Sequence, residues 1–169
     1  VQDQHRGRRV VRRSLTRRPE ILAPCGDFTC LQAALDAGAD AVYFGLGAFN
    51  MRARSGVNFS LADLPEVSAR CRGRGVRAYL ALNSIVFEGE KEELEHVIDA
   101  AMPHVDAFIV ADWGAFDMLR RRGAEIHVST QMSVSNSAAV EFLLSLGAKR
   151  IVLARECTLA EVKAIKEAT

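Results

Sequence analysis

The residues of this sequence that could do chemistry are polar side chains that directly follow short apolar segments. The longest predicted loop, residues 45–59, contains Asn50, Arg52 and Arg54 together with several glycines. A guanidinium group can form two parallel hydrogen bonds to a carboxylate or a phosphate. Arg52 and Arg54 therefore predict an anion site. The alternative is that both arginines pair with acidic neighbours around the same loop, and the residues alone leave the two possibilities open.

Polar residues follow the other apolar segments in the same way. Ser129, Thr130 and Gln131 come after one of them, where a buried polar group needs a hydrogen-bond partner or a substrate. Arg155 and Glu156 are sequence neighbours, so we expect only one of them to face the site. The candidate substrate-binding residues are Asn50, Arg52, Arg54, Asn83, Asp112, Ser129, Gln131, Arg155 and Glu156. The sequence assigns no catalytic residue.

Histidine and cysteine give weaker signals. His127 has the same strand parity as Ser129, but two strand residues span roughly 6.6 Å, too far for a serine–histidine dyad. We therefore predict that His127 is a buried structural residue. Cys25 is expected beside the site as a nucleophile, a ligand or a packing residue. Cys30 and Cys71 fall on predicted helices and are expected to be small buried side chains.

The elements that must position these residues alternate along the chain. Short apolar runs indicate buried parallel strands, and they cover residues 21–23, 41–44, 76–82, 105–110, 125–129 and 150–154. Helices are predicted between them, opened by Asp27, Asp112 and Asn136 and by the capping boxes Ser60–Asp63 and Thr158–Glu161. Gly38, Gly75, Gly123 and Gly147 are predicted to end helices in the left-handed conformation.

Six strand–helix units fit either an open doubly wound sheet or a barrel. The turn after the first strand, residues 23–27, lacks the glycine-rich phosphate loop that open sheets often carry there. A barrel needs eight units and about 250 residues, and residue 169 falls inside a predicted helix. We therefore predict an α/β fold in which residues 20–169 are the N-terminal six βα units of an incomplete, truncated TIM-type barrel. The candidate residues then lie on the loops that carry active sites in such barrels.

Charge is distributed unevenly along the sequence. The net charge is +1, yet residues 1–19 contain seven arginines and a single acid, Asp3. We predict a disordered basic leader over residues 1–19, which is an organellar transit segment, an RNA-binding arm or a solvated extension. No apolar run approaches the ~20 residues of a membrane span. The expected location is cytoplasmic, or organellar if the leader is a transit segment.

Seven short segments, all in the same order, resemble peptidase family U32, the collagenase-like proteases. They are PEILAPCGD (19–27), GADAVYFG (38–45), FNMRAR (49–54), NF (58–59), LNSIV (82–86), STQMS (129–133) and IVLARE (151–156). The resemblance implies a barrel and either proteolysis of a peptide or oxygen-independent hydroxylation of transfer RNA, ribosomal RNA or a quinone precursor. Cys25 stands where the family pattern has a small residue, a change that packing alone explains.

For the hydroxylating members, the resemblance implies an iron–sulfur cluster bound by cysteines and, in some, a dicarboxylate oxygen donor, prephenate. The family's cysteine signature is expected beyond residue 169, so this fragment is expected to bind no metal or cluster itself. Arg52 and Arg54 would suit the dicarboxylate or an RNA phosphate. The sequence shows neither the nucleophile with a base nor the metal-bound water that a peptidase needs. We therefore predict an RNA hydroxylation enzyme; a collagenase-like peptidase and a non-catalytic RNA-binding module are the alternatives, and the oligomeric state is left open.

Overall fold

The computed structural model describes residues 18–51 and 58–169. Within these residues, six strands form one sheet: β1 (Leu22–Pro24), β2 (Ala41–Phe44), β3 (Arg77–Leu82), β4 (Ala107–Val110), β5 (Ile126–Val128) and β6 (Arg150–Ile151). Each strand pairs in parallel with the next one along the chain. The sheet curls with helices between its strands, as six consecutive units of a TIM-type barrel do, which confirms the predicted fold.

Six α-helices connect and cover the strands in the described ranges: α1 (Phe28–Asp36), α2 (Leu64–Gly73), α3 (Lys91–Ala101), α4 (Trp113–Arg121), α5 (Ser137–Ser145) and α6 (Leu159–Ala168). Asp27, Asp112 and Asn136 accept hydrogen bonds from the first-turn amides of α1, α4 and α5, as predicted. Thr158 and Glu161 form the predicted box before α6, and the Ser60–Asp63 box opens a short 3-10 turn before α2. None of these helices has the length and apolar character needed to cross a bilayer.

The four glycines predicted to end helices do have positive φ angles, from +66° at Gly75 to +104° at Gly147. Side chains other than hydrogen are disfavoured there, which explains why glycine recurs before β2, β3, β5 and β6. The last strand is shorter than predicted. The Val152 amide still donates to the Val128 carbonyl of β5, and the chain then leaves the ladder, because the Ala154 amide donates to the carbonyl of Val134, beyond the end of β5.

The sheet has two faces with different roles. On the outer face, Val42, Leu80 and Phe108 belong to the main core and pack against the helices. On the inner face, Ala41, Tyr79 and Ala107 form a second, smaller cluster. Because strand side chains alternate between faces, each strand supplies residues to both layers. The inner layer is the interior of the barrel, and it leads to the carboxyl ends of the strands.

A group of polar residues lies inside the barrel at the amino ends of the strands. This interior network consists of Glu20, Arg77, Tyr79, Glu125, His127 and Arg150. The Nε2 atom of His127 lies 2.9 Å from Glu125 Oε1, and its ring packs edge-on against Tyr79 with 4.7 Å between centroids. His127 is 2% exposed, and burial lowers its pKa. The prediction of a buried structural histidine is confirmed.

Candidate functional site

A cavity of about 640 Å³ opens where the strands end at their carboxyl termini. The inner face of the sheet and the residue after β6 supply apolar or aromatic side chains to it: Leu22, Tyr43, Ala81, Ile109 and Val152. The loops that follow the strands supply polar ones: Asp27, Asn50, Asn58, Asn83, Ser129, Thr130, Gln131 and Arg155. The cavity therefore has an apolar part inside the barrel and a polar part at its mouth, the arrangement typical of small-molecule sites.

Five of the predicted substrate-binding residues line this cavity: Asn50, Asn83, Ser129, Gln131 and Arg155. Asp112 and Glu156 are not among its lining residues. The Asp112 carboxylate accepts a hydrogen bond from the Ala115 amide at 3.0 Å and caps α4, whereas Glu156 lies exposed beside Arg155. Arg52 and Arg54 lie outside the described residues, and their role stays a prediction. That any of these residues binds substrate likewise stays a prediction.

The loop after β2 is built around Asn50. Asn50 is 5% exposed, and its amide Nδ2 donates to the carbonyl oxygens of Leu46 and Ala48. A Cβ atom at Gly45 would overlap the Asn50 side chain, so this position needs glycine. Phe49 has a φ of +60°, which is unusual for a bulky residue. The Asn50 side chain thus holds the loop together through hydrogen bonds to the loop's own backbone.

The same loop is fastened to the loop after β3. The Met51 amide donates to Asn83 Oδ1 at 3.2 Å, and the Ser84 amide donates to the Phe49 carbonyl at 3.3 Å. Since Asn83 uses its carbonyl oxygen for this contact, its Nδ2 group is the donor left for a ligand. Asn83 therefore both anchors the loop and contributes to the cavity wall.

The segment after β5 forms a tight turn at the mouth. Ser129 is buried, and its Oγ accepts a weak hydrogen bond of 3.3 Å from the Gln131 amide. A 3-10 turn over Thr130–Met132 follows and ends at Ser133, whose φ is +54°. The turn brings Ser129, Thr130 and Gln131 together on the cavity wall, as the sequence predicted for Ser129 and Gln131.

Arg155 is the one cationic side chain among the described residues that line the cavity. Elsewhere in the described ranges, each of the nine other arginines contacts a carboxylate or a backbone carbonyl oxygen. Arg155 makes no such contact with a described residue. The one carboxylate on the cavity wall belongs to Asp27, which accepts from the Cys30 amide at 2.6 Å. This backbone hydrogen bond lowers the pKa of Asp27. The Asp27 carboxylate therefore already has a partner, and the Arg155 guanidinium has no acidic partner among the described residues.

Two cysteines line the cavity. Cys25 is buried at the mouth, where it was predicted, with Sγ 3.8 Å from the Tyr43 carbonyl oxygen. Cys30 is exposed and also lines the cavity, so the prediction that it is buried was wrong. The reason is that α1 buries Leu31 and Leu35, and its first turn faces the mouth. Cys71 is buried as predicted, and burial raises its pKa to about 11.

Sequence reasoning missed Tyr43 and Cys30 as cavity residues. Tyr43 could have been found from strand parity, because it lies two residues after Ala41 and therefore points to the same inner face of β2. For Cys30 the signal was its place in the first turn of a helix that follows a strand end. Within residues 18–51 and 58–169, no three or more His, Cys, Asp or Glu side chains are placed to hold a metal ion. These residues therefore do not fit an iron–sulfur cluster.

Comparison with known proteins identifies the family. The family model described as "Peptidase family U32" matches residues 26–169. The chain belongs to peptidase family U32. It is 42% identical over 149 residues to the protein named collagenase from Porphyromonas gingivalis, an alignment that covers 88% of this chain and 36% of that protein.

Other relatives of this U32 chain have names that refer to RNA. It is 34% identical over 159 residues to tRNA hydroxylation protein P1 of Bacillus subtilis, covering 92% of this chain and 37% of that protein. It is 36% identical over 153 residues to the 23S rRNA 5-hydroxycytidine C2501 synthase of Escherichia coli, covering 90% and 23% respectively. The chain thus spans about a third or less of the length of these curated relatives.

Solved structures show the same fold at low sequence identity. The structure of a U32 peptidase superposes with a TM-score of 0.68 at 17% identity, covering 89% of this chain and 65% of that one. A mutant tryptophan synthase α-subunit from Pyrococcus furiosus superposes with a TM-score of 0.53 at 16% identity, covering 88% and 66%. At these identities the likeness concerns the fold alone.

Proposed function

We propose that this U32 chain forms the co-substrate cavity of an enzyme that hydroxylates RNA. The observation that carries the proposal is the cavity itself, in which Arg155 has no acidic partner among the described residues and lies among amide and hydroxyl groups. Relatives named as tRNA hydroxylation proteins and as an rRNA hydroxycytidine synthase support the assignment to RNA. Transfer or ribosomal RNA is the proposed macromolecular substrate.

The proposed co-substrate is a small, prephenate-like dicarboxylate. A guanidinium group binds a carboxylate through two charge-assisted hydrogen bonds, which gives Arg155 its role. The Asn83 and Gln131 amides supply neutral donors next to it, and the apolar wall of Leu22 and Ile109 suits a hydrocarbon ring. A volume of about 640 Å³ falls within the usual range for small-molecule sites, ~300–1,000 Å³.

A peptidase is the second candidate, favoured by the 42% identity to a protein named collagenase. Its chemistry needs a nucleophile with a base in reach. Cys25, Cys30 and Ser129 line the cavity, but no histidine or lysine does so among the described lining residues. His127 lies in the interior network with its Nε2 at Glu125. Asp27 is a weak base, since the hydrogen bond from the Cys30 amide lowers its pKa.

The iron–sulfur cluster, the RNA contacts and the non-catalytic RNA-binding role stay predictions. No step of the proposal depends on an iron–sulfur cluster, because the described residues do not fit one. RNA contacts through Arg52, Arg54 and residues 1–17 of the basic leader concern residues outside the described ranges, whereas Arg18 pairs with Asp40. A non-catalytic RNA-binding module would depend on that leader, and RNA affinity should then fall steeply with salt and be lost when residues 1–19 are removed.

The test is to produce the full-length protein in a bacterial host whose own U32 genes are deleted. Total tRNA and rRNA are digested and their nucleosides compared by mass spectrometry. We expect a nucleoside with one added oxygen that depends on the wild-type protein, is lost with Arg155→Ala and persists with Arg121→Ala. No added oxygen in either RNA class, together with cleavage of gelatin by the purified protein, would establish the peptidase instead.

A further inference from the structure

The segment that carries Arg155 is held by backbone hydrogen bonds from one side only, among the residues the structure describes. β6 pairs with β5 through two registered pairs, His127 with Arg150 and Val128 with Ile151. The Val152 amide then donates to the Val128 carbonyl at 2.9 Å. On its other side, β6 has no neighbouring strand in the described sheet. The Ala154 amide donates in turn to the Val134 carbonyl at 2.8 Å.

A side-chain contact across the barrel also holds this segment. Arg150 donates from Nη1 and Nη2 to the two carboxylate oxygens of Glu20, at 3.0 and 2.7 Å. Glu20 directly precedes the first strand region, so this fork joins the two ends of the sheet. The Tyr79 hydroxyl donates to the same carboxylate at 2.9 Å, and Tyr79 is fully buried. The contact therefore lies at the amino-end opening of the barrel, where the Arg150 and Glu20 side chains are 35% and 30% exposed.

Glu20 balances the charge of Arg150. The guanidinium groups of Arg77 and Arg150 lie 5.0 and 5.6 Å from the centre of the Tyr79 ring. Glu125 pairs with Arg77 at 2.8 Å, and Glu20 pairs with Arg150. The Arg150 hydrogen bonds lower the pKa of Glu20 to about 2, so its carboxylate is charged at neutral pH. Without that carboxylate, Arg150 would lose its acidic partner while a second guanidinium, that of Arg77, lies near the same ring.

Residues further along the same segment reach the cavity. Arg150 and Val152 have the same strand parity, and Val152 and Arg155 both line the cavity. We infer that Glu20 and Arg150 are positioning residues, which hold the segment after β6 against the barrel interior and so place the Arg155 guanidinium at the mouth. The inference rests on the proposed function, in which Arg155 binds a carboxylate. The Glu20–Arg150 ion pair, at the amino ends of the strands, would then affect the affinity for a ligand that Arg155 binds at their carboxyl ends.

A double-mutant cycle on the full chain tests this inference, with malonate as the dicarboxylate probe and calorimetry as the measurement. Glu20→Gln is expected to weaken malonate binding about fivefold in the wild-type background. In the Arg155→Ala background, the same substitution should change the residual affinity less than about twofold, because the group it positions is gone. An equal loss in both backgrounds would overturn the inference. The matched control is Glu66→Gln, which breaks the exposed Glu66–Arg70 pair on α2 and should leave binding unchanged.

Hydrogen exchange gives a readout that needs no ligand. The amides of residues 152–156 should exchange faster in Glu20→Gln but not in Glu66→Gln, and unchanged protection would overturn the inference. If Glu20→Gln does not fold, Arg150→Lys keeps the charge, loses the two-pronged contact and should have a smaller effect of the same sign in both measurements. Wild-type protein that does not bind malonate would contradict the dicarboxylate proposal, and the exchange data would then decide on positioning alone.

Discussion

The arginines that the structure describes fall into two groups, those that contact a carboxylate or a backbone carbonyl oxygen and one, Arg155, that lines the cavity without such a partner among the described residues. Arg77 and Arg150 each face a glutamate inside the barrel, so their charges are neutralised where they stand. Arg155 faces the cavity without a carboxylate partner among the described residues. Arg155 is exposed, so water hydrates its charge until a ligand carboxylate replaces that water. The residue with the least support from its neighbours is thus the best candidate for binding.

At this scale the first prediction concerns Arg155. Arg155→Ala should weaken malonate binding about tenfold or more, since hydrogen bonds to a charged group contribute ~1.5–3 kcal/mol. Calorimetry measures the affinity. Arg121→Ala removes an exposed arginine that pairs with Asp117 on α4, and it should leave the affinity unchanged. A loss of less than about twofold in Arg155→Ala would contradict the anion site.

The second prediction concerns the pH dependence of stability through Glu20. Its pKa is lowered in the folded state from 4.5 to about 2, chiefly by hydrogen bonds from Arg150. The stabilisation is therefore complete above pH 4.5 and is lost as the pH falls from there toward 2. Urea midpoints measured between pH 7 and pH 3 should fall more steeply for wild type than for Glu20→Gln. Parallel profiles would show that Glu20 does not contribute.

At the scale of elements, the loops after β2 and β3 form one unit that shapes the cavity. Asn50 ties the first loop internally, and Asn83 joins it to the second. The loop after β2 is also held by a parallel bridge between Leu46 and Phe59, both of which are buried in the main core. Around Asn50, its geometry depends in addition on side-chain amides and on the space left by Gly45.

The third prediction follows from Gly45. Gly45→Ala should destabilise the protein by about 1–3 kcal/mol, because its Cβ would displace the Asn50 side chain. Gly47→Ala is the matched control in the same loop, where nothing lies within 4 Å of an added Cβ. It should change the free energy of unfolding by less than about 0.5 kcal/mol. Equal effects in denaturant titrations would mean that Asn50 can move at little cost.

Much of this element structure can be predicted from the sequence, because local chemistry decides it. Asp27 and Asn136 cap helices, and Gly123 ends one, through contacts within a few residues. The interior network could not be predicted, since parity places Tyr79 and His127 inside the barrel but does not say which strands face each other. The positive φ of Phe49 also has no local signal. It depends on Asn50 and on the loop after β3, which only the folded barrel brings together.

For the candidate site, the sequence predicted which loops line the cavity better than it predicted which residues of those loops face it. The rule that barrel loops after strands carry the site correctly brought Asn83, Ser129 and Arg155 to one cavity. It did not distinguish them from Asp112, because a helix cap and a ligand contact require the same residue type at the same position. Burial patterns within one helix were needed to place Cys30.

At the scale of the whole molecule, the described sheet has two ends. β1 and β6 each pair on one side within the described residues. Beside β6 lies a groove of about 240 Å³ whose apolar residues are Val140, Leu144, Ile151, Leu153, Val162 and Ile165. Unpaired strand edges next to apolar surface promote association. The 169-residue chain on its own is therefore expected to self-associate at concentrations on the order of 10 µM.

The fourth prediction tests this surface. Leu144 is 43% exposed and lines the groove, so Leu144→Lys should shift the 169-residue chain toward monomer in light scattering. Leu159 is 89% exposed and does not line the groove, so Leu159→Lys should leave the association as it is. A wild-type chain that is monomeric and melts cooperatively would contradict the prediction.

The contact between Glu20 and Arg150 also has a consequence for the order of folding. Registered strand pairs such as Phe108 with Ile126 and Ala41 with Arg77 are 18 and 36 residues apart, whereas Glu20 and Arg150 are 130 apart. Closing so long a loop costs more chain entropy, so this contact should form after the folding transition state. Glu20→Gln should then accelerate unfolding and leave the refolding rate unchanged in stopped-flow measurements. The Glu20–Arg150 ion pair would therefore form last during folding and break first during unfolding, so it would slow unfolding.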